Sequence, residues 1–477
     1  MVYGSEEEAI SWIHLLDEDC SVSPCWEMLF EAMCCPVPQK LKASLDLAIA
    51  ALSRHNSLVP QLWERLLAAV VVRRDVFREY GQTSMPVKYD LSYQLNEIEA
   101  RSEEYIEAVA FVELLNSLWR NSSTGFKDGG ARFGHFTKFI VEEILSSVYQ
   151  RSFKSEKERW QLLANCFIHC GLCLDCMPSE SPSHLGFAGA QSPGEYVMAD
   201  LLEERIVFRV MMFTLSLGTE WLSSQSVDDL FAEKAAALAA CFQLIKKAMG
   251  LDEGFIARNQ GIAGGKMYSQ LDSVLLRDRG HLPVLLDYCQ VSWDKSLLYE
   301  SLQVSQQLIS RVPTVVSILE SLAQSMDGHS VKSRLQQGFR YSLENAHALP
   351  QVMQDDLDRD IAEIGLDIIL DSLRSYSPNF AEYICGFDVT SASDFMALED
   401  PRFSPTPLLT ILEIVSDPVT AGSRPKLYEK CLQTIYSLAA NPRTGSVMVY
   451  LIFSFVQPSL AQCLLSSAYF QALILSS

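Results

Sequence analysis

Apolar residues recur along this chain with the spacing of one face of an α-helix. Three clear examples are Leu41, Leu45, Ala48, Ile49 and Leu52; Ala108, Phe111, Val112, Leu115 and Leu118; and Ile361, Ile364, Ile368, Ile369 and Leu373. Each set forms an apolar stripe that needs neighbouring helices to cover it. The alternating pattern of half-buried strands is scarce. The sequence therefore predicts an all-α protein of about twenty helices.

Breaks between the predicted helices are mostly short, as antiparallel helix pairs require. Pro60 suits a first helical turn, Gly250 predicts a helix end, and Ser377-Pro378-Asn379 separates two apolar runs. Longer polar interruptions predict surface loops at residues 121–131, 178–194, 252–266 and 386–407. Because the helical pattern resumes after each, we expect loops within one array and no domain boundary.

The predicted fold is an irregular α-solenoid, a superhelix of stacked antiparallel helices. No strict repeat is visible, so the tetratricopeptide and ankyrin signatures are excluded, but irregular helix-pair solenoids need not show one. The alternative is a compact pair of helical domains. A length of 477 residues exceeds what one globular core usually supports and favours the superhelix. We predict a solenoid segment over residues 1–450.

An uncharged, apolar helical tail is predicted over residues 451–477. The apolar run that leads into this tail, residues 447–456, is interrupted by Gln457-Pro458-Ser459. A membrane span needs roughly 20 largely apolar residues, so this run is too short. We expect two buried helices, or one left uncovered by truncation, in place of a transmembrane span.

Charge and cysteine content narrow the function. The chain has 38 Lys and Arg against 59 Asp and Glu, a net charge of −21, which argues against nucleic acid as a direct ligand. Its 13 cysteines, several at helical spacing among apolar residues, indicate buried thiols in a reducing compartment. Acidic residues Glu6, Glu7 and Glu8 stand where a signal peptide would need basic ones.

The strongest candidate for metal chemistry is a cluster of thiols around one histidine, formed by Cys166, His169, Cys170, Cys173 and Cys176. Thiols three residues apart can bind zinc when they lie on turns. Here they lie in a continuous helical pattern from Trp160 to Leu174, and no fourth ligand is evident. The pattern favours buried structural cysteines.

Two weaker motifs also have structural explanations. The glycine-rich stretch before Lys266 departs from a phosphate loop because Gln260 and Met267 occupy required positions and no strand precedes it. The acidic run Asp355, Asp356, Asp358 and Asp360 lacks the glycine and closing glutamate of a calcium loop and suits a first helical turn. We predict no enzyme, no cofactor, and no catalytic or metal-binding residue.

One stretch is far more specific than these motifs. The segment 95–105 (LNEIEARSEEY) and the following 110–118 (AFVELLNSL) closely resemble a segment of the largest inner-ring scaffold nucleoporins, the nucleoporin 205 and nucleoporin 192 family. Further segments agree in order at 38–63, 133–153, 158–162, 378–387 and 431–439. Family members are several times longer, so we expect an internal fragment.

The resemblance implies a structural scaffold of the nuclear pore complex inner ring at the nuclear envelope. Its partners would be short linker and channel nucleoporin segments in a large multi-subunit assembly supporting nucleocytoplasmic transport, and it assigns no docking residue here. From the residues alone two alternatives stay open. One is a soluble helical-repeat adaptor or transport-receptor-like protein; the other is a thiol or zinc enzyme built on the cysteine cluster.

Overall fold

The computed structural model describes residues 25–71, 89–122, 130–177, 192–224, 229–260, 266–323, 328–348, 356–389 and 406–455. Within these ranges the fold is all-α, an irregular α-solenoid, as predicted. The exception is a two-residue parallel pairing of β1 (Val70–Val71) with β2 (Tyr89–Asp90). The described residues divide into two compact units, drawn from Met1–Gly218 with Ser226–Leu271 and from Thr219–Gln225 with Asp272–Ser477.

The first unit stacks long helices against one another in sequence. They are α1 (Cys25–Met33), α2 (Gln39–Leu52), α3 (Val59–Ala69), α4 (Leu91–Tyr93, the π-helical Gln94–Glu99 and Ala100–Ser102), α5 (Ile106–Arg120), α6 (Gly134–Phe139, continued by Ile140–Ile144 and Leu145–Ser147), α7 (Glu156–Asp175), α8 (Pro193–Leu202), α9 (Ile206–Ser224, assigned to this unit as far as Gly218) and α10 (Phe231–Gln260). A short 3₁₀ turn, Ala131–Phe133, precedes α6. Helix α5 lies between α2 and α7, and α7 also packs on α10.

Aromatic rings fill the core between α3, α5 and α6. The ring of Trp63 lies 4.2 Å from that of Phe133 and 5.8 Å from that of Trp119, in an edge-on contact. All three side chains are buried, and so is Phe136 beside them. Burying rings of this size stabilises the helix stack by roughly 1.5–3 kcal/mol per side chain.

The second unit repeats the same construction. Its elements are α11 (Leu271–Leu275), α12 (His281–Asp287), the 3₁₀ turn Tyr288–Gln290, α13 (Lys295–Arg311), α14 (Val315–Ala323), α15 (Gly328–Ala348), α16 (Asp356–Leu373), α17 (Phe380–Ile384), α18 (Pro407–Ser416), α19 (Pro418–Ser423), α20 (Pro425–Ala440) and α21 (Gly445–Phe455). Helix α16 contacts α13, α15 and α20. It thus forms the centre of this unit.

Two of the three predicted stripes are confirmed as core. All five apolar residues predicted for α5 are buried. In α16, Ile361, Ile368 and Ile369 are buried, while Ile364 and Leu373 are half-buried at the margin. The break at Ser377-Pro378-Asn379 is also confirmed, because Asn379 caps α17 and forms a capping box with Glu382.

Helix α2 forms where predicted but presents a different face to the core. Lys42, Ala43, Asp46, Ile49 and Ala50 are buried, whereas Leu41 is 48% exposed. The predicted stripe was therefore wrong for this helix. Lys42 can pair with the buried acids opposite α2, whereas those same acids disfavour the charged form of Asp46.

The predicted end of α10 at Gly250, with a loop over 252–266, was wrong in its first half. Helix α10 continues to Gln260 because Phe255 and Ile256 bury their side chains. The buried carboxylate of Asp252 also accepts the backbone N–H of Leu271 at 2.8 Å. Parts of the other predicted loops, at 123–129, 178–191, 261–265 and 390–405, lie outside the described residues.

The last described helix, α21, buries Met448, Leu451 and Ile452 and exposes Tyr450 and Phe453 on its other side. It crosses the predicted boundary at residue 450, and residues 456–477 lie outside the described part of the chain, so the separate tail stays a prediction. Among the described residues, no helix is both long and apolar enough to cross a membrane.

Candidate functional site

The segment 95–105 holds the start of helix α5 in place. The first N–H groups of a helix have no partner within the helix. Here Glu99 accepts the N–H of Glu107 at 2.8 Å and that of Ala108 at 3.3 Å. Glu158 accepts the N–H of Tyr105 at 2.8 Å. Two carboxyl groups, one before α5 and one from α7, therefore cap the start of a single helix.

Between Glu99 and α5 the chain turns at Glu103, whose φ of 58° is left-handed and ends α4. The turn brings the buried ring of Tyr105 to 4.4 Å from that of Phe153. The guanidinium of Arg151 lies 5.7 Å from the Tyr105 ring, and that of Arg159 lies 5.0 Å from the Phe153 ring. These cation–π contacts join the turn to the segment that leads into α7.

On the outer side of α4, Arg101 donates to Glu97 at 2.6 Å, as their four-residue spacing predicts. Glu99 and Glu103 are four residues apart but do not share a helix face, since Glu99 is buried and Glu103 lies in the turn. The helix ends at Ser102, so the seven-residue spacing of Ile98 and Tyr105 does not place them on one face either.

Beneath this cap lies a group that we call the buried acid cluster: Asp46, Glu99 and Glu107 with Lys42. The exposed fractions of these four side chains are 0%, 1%, 1% and 4%. They come from α2, α4 and α5, the helices that meet at this point. Three carboxyls and one ammonium group would carry a net charge of −2 if all were ionised, which the interior disfavours.

Desolvation raises the pKa of all three carboxyls. It raises the pKa of Glu99 to about 8, although the backbone N–H groups of Glu107 and Ala108 lower it, and the pKa of Glu107 to about 7, opposed by Lys42. Burial raises the pKa of Asp46 well above its ordinary value, and the nearby Glu107 adds to that effect. The cluster therefore retains protons near neutral pH.

The cysteine candidates lie on α7, where Cys166, Cys170 and Cys173 are fully buried and Cys176 is half-buried at the helix end. Burial raises the pKa of the Cys173 thiol to about 12, so it is protonated and a poor nucleophile. Among the described residues, no three His, Cys, Asp or Glu side chains converge as a metal site would require.

His169 belongs to a buried chain of hydrogen bonds. Its Nε2 lies 3.0 Å from Thr137 Oγ1, and its Nδ1 lies 3.2 Å from Asn116 Oδ1. Thr137 Oγ1 also lies 3.4 Å from Cys173 Sγ, and Asn116 donates to the carbonyl of Asn165 at 2.9 Å. Burial lowers the pKa of His169 to about 3, so the ring is neutral. These groups satisfy one another between α5, α6 and α7.

The two weaker motifs have structural positions as well. Residues 261–265 lie outside the described part, while Lys266 pairs with Glu203 at 2.7 Å. Asp355 also lies outside it. Asp356 begins α16, as predicted, and the buried Asp358 pairs with Lys295 at 2.7 Å.

The second unit contains an open cleft of about 430 Å³ between α16 and the start of α20. The α16 wall carries Asp356, Asp360 and Glu363 with Arg359 among them, and the other wall carries Arg424 and Lys426. Its opposed charges suit a polar or charged chain segment better than an apolar small molecule.

Sequence reasoning missed the roles of Glu99, Asp46 and Lys42. One signal was available, because Lys42 and Asp46 are four residues apart inside an apolar run and so lie on one face of α2. The partners opposite that face come from a segment more than fifty residues later. The local pattern therefore could not identify it as the buried one.

Comparison with known proteins decides the family. The family model described as "Nuclear pore complex scaffold, nucleoporins 186/192/205" matches residues 19–466. The chain belongs to this scaffold nucleoporin family. The match confirms the resemblance carried by segment 95–105, and it includes every element of both units.

Curated relatives of this scaffold nucleoporin agree. "Nuclear pore complex protein NUP205" of Arabidopsis thaliana is 22% identical over 450 residues, covering 88% of this chain. The Homo sapiens protein of the same name is 22% identical over 464 residues, covering 87%. That of Drosophila melanogaster is 26% identical over 205 residues, covering 41%. The chain spans 22% of the length of each of the first two relatives.

Proposed function

We propose that this chain is a structural scaffold segment of the nuclear pore complex inner ring, at the nuclear envelope. The observation that carries the proposal is the family match over residues 19–466, together with relatives that are named as nuclear pore complex proteins. Its role is mechanical, with no chemical step. Stacked helices hold surfaces in fixed positions so that other nucleoporins can assemble on them and support nucleocytoplasmic transport.

The packing supports a scaffold. Buried side chains run through consecutive helix pairs in both units, and helix starts are fixed by carboxylates from other elements, as at α5. Such interfaces resist local unfolding where a helix is covered on more than one side, as α5, α7 and α16 are. A rigid stack can present partner sites at fixed spacing.

The partners that we propose are short segments of other nucleoporins, which dock between helices with apolar anchors and basic flanks. A net charge of −21 favours a basic flank. The cleft in the second unit offers one docking position for a segment that carries both charges, since Asp360 and Glu363 can accept a basic flank and Arg424 and Lys426 face them from the other wall.

Localisation tests the proposal. The complete gene product, fluorescently tagged in its own cells, should stain the nuclear rim in puncta that coincide with a pore marker. A diffuse cytosolic signal would contradict the scaffold assignment and favour the soluble adaptor.

Docking is tested separately by crosslinking of isolated pores followed by mass spectrometry. We expect crosslinks from this chain to short segments of other nucleoporins. If the cleft is a docking position, Asp360→Lys should weaken capture of basic-flanked segments. Glu413→Lys, at an exposed position on α18 that does not line the cleft, is the matched control and should not. Equal effects of the two changes would exclude the cleft.

A further inference from the structure

The buried acid cluster lies where α2, α4 and α5 meet. Asp46 faces the α2–α5 interface from α2, and Glu107 belongs to the first turn of α5. Glu99 bonds the start of α5 from α4. A change in the charge of this cluster therefore acts directly on the packing of α2 against α5.

Asp46 is the least compensated member. Its side chain is fully buried, and among the described residues neither of its carboxyl oxygens has a hydrogen-bond partner. Lys42 is the basic group that acts on it, while Glu107 and Glu99 add negative charge. A carboxylate in this position would be a buried anion close to two other acids, which is unfavourable unless a proton neutralises it.

The surroundings of the other members supply little further neutralisation. Glu158, from the first turn of α7, lies near Glu99 and opposes its ionisation, whereas Arg151 favours it. A cavity of about 10 Å³ lies beside Glu99 and Glu107, which is close to the space that one water molecule needs. Ionisation of the cluster therefore leaves negative charge in an interior that has room for about one water molecule to solvate it.

We propose that the buried acid cluster is a proton-dependent latch, which holds α2 against α5 while it retains its protons and loosens the pair when it ionises. The latch rests on the geometry of the cluster and not on the scaffold role, so its failure would leave the proposed function standing. It gives this part of the chain a conformational response to alkaline pH.

The direction follows from linkage. The ordinary glutamate pKa of 4.5 applies in the open state, and burial raises the pKa of Glu99 to about 8 and that of Glu107 to about 7 in the closed state. Protonated acids therefore favour the closed pair fully below pH 4.5, and this contribution is lost as pH rises to about 8. Each retained proton changes the opening constant by about tenfold per pH unit within that window.

Hydrogen exchange of the full chain, followed by mass spectrometry from pH 5.5 to pH 9, tests the latch. After correction for intrinsic exchange, protection of residues 39–52 and 106–120 should fall as pH rises, while residues 407–416 in the second unit serve as reference. Asp46→Asn removes one ionisable proton with little change of shape. The variant should reduce the pH dependence of the opening constant of the α2–α5 pair by up to about tenfold per pH unit.

Glu113→Gln is the matched control, because Glu113 lies on α5 but at the partly exposed surface beside Arg120. It should retain the wild-type dependence. Protection of α2 and α5 that is independent of pH in the wild type would overturn the latch, and so would equal slopes for the wild type and Asp46→Asn. If Asp46→Asn fails to fold, Glu107→Gln and the wild-type profile decide the matter in the same way.

Discussion

At the scale of single residues, several polar groups of the interior bond one another across helices. Thr137 illustrates this, since one hydroxyl serves both His169 and Cys173. A buried polar atom that loses its partner costs about 1–3 kcal/mol. The candidates for chemistry on α7 are therefore explained by packing, in which the histidine and thiols complete a hydrogen-bonded interface.

The buried histidine gives a pH dependence that can be measured. Burial lowers the pKa of His169 from 6.5 to about 3. The unfolded chain therefore binds a proton that the folded chain does not, and His169 contributes stability above pH 6.5 that is lost as pH falls toward 3. We expect urea unfolding of His169→Gln to depend less on pH between 6.5 and 4, by up to about 1.4 kcal/mol per unit.

His55→Gln provides the control, since His55 lies in the turn after α2, where its ring contacts Ser57 at 2.6 Å. This variant should keep the wild-type pH slope. Identical slopes for wild type and His169→Gln would show that the ring is not held neutral.

At the scale of elements, the sequence predicts where helices form better than it predicts which face of each helix is buried. Helix α5 was predicted with its buried face, because its apolar stripe agrees with the residues that contact α2 and α7. Helix α2 was predicted with the wrong face, since the burial of Lys42 depends on acids supplied by α4 and α5, which the local pattern of α2 does not show. Helix α10 was predicted too short, because Gly250 is an end signal only where nothing beyond it packs.

The exposure of Leu41 on α2 leads to a prediction opposite to the one that the apolar pattern gives. Leu41→Gln should change the free energy of unfolding by less than about 0.5 kcal/mol, because Leu41 is about half exposed. Ile49→Ala should lower it by about 2–5 kcal/mol, because Ile49 is fully buried. Chemical denaturation measures both, and similar costs for the two would mean that the helix is rotated.

Glycines in helices test packing more directly. In α15, a Cβ on Gly338 would overlap the carbonyl oxygen of Cys289 and lie 2.7 Å from Cα of Gln290, so Gly338→Ala should lower the melting temperature. In α10, a Cβ on Gly250 would meet no other atom within 4 Å. Gly250→Ala should therefore stabilise the chain by up to about 1 kcal/mol through helix propensity. Thermal melts that rank the two variants in the opposite order would refute this packing.

At the scale of the whole molecule, the dominant property that plays no part in core packing is the net negative charge. The surface ion pairs, such as Arg101 with Glu97, leave most of the acidic excess uncompensated. The excess negative charges, a net charge of −21, repel one another, and they would attract basic partner segments.

Family membership could be recognised from one undecapeptide, residues 95–105. The division into two units could not be predicted, because no change of composition marks a linker between them.

The acidic excess predicts a salt response. Added sodium chloride screens repulsion among exposed charges, so we expect the melting temperature at pH 7.5 to rise between about 0.02 M and 0.5 M salt. Differential scanning fluorimetry measures this directly. A melting temperature that falls with salt would show that attractive surface pairs outweigh the net repulsion.

The cap of helix α5 determines how the chain can be divided. Glu99 lies seven residues before Ile106, and a left-handed turn at Glu103 folds it back onto the start of the helix. Any recombinant piece that begins between these positions leaves behind the acid that satisfies its first N–H groups. The shortest portion that keeps α5 intact must therefore begin upstream of α4, and it must extend through Glu158 to retain the second acid.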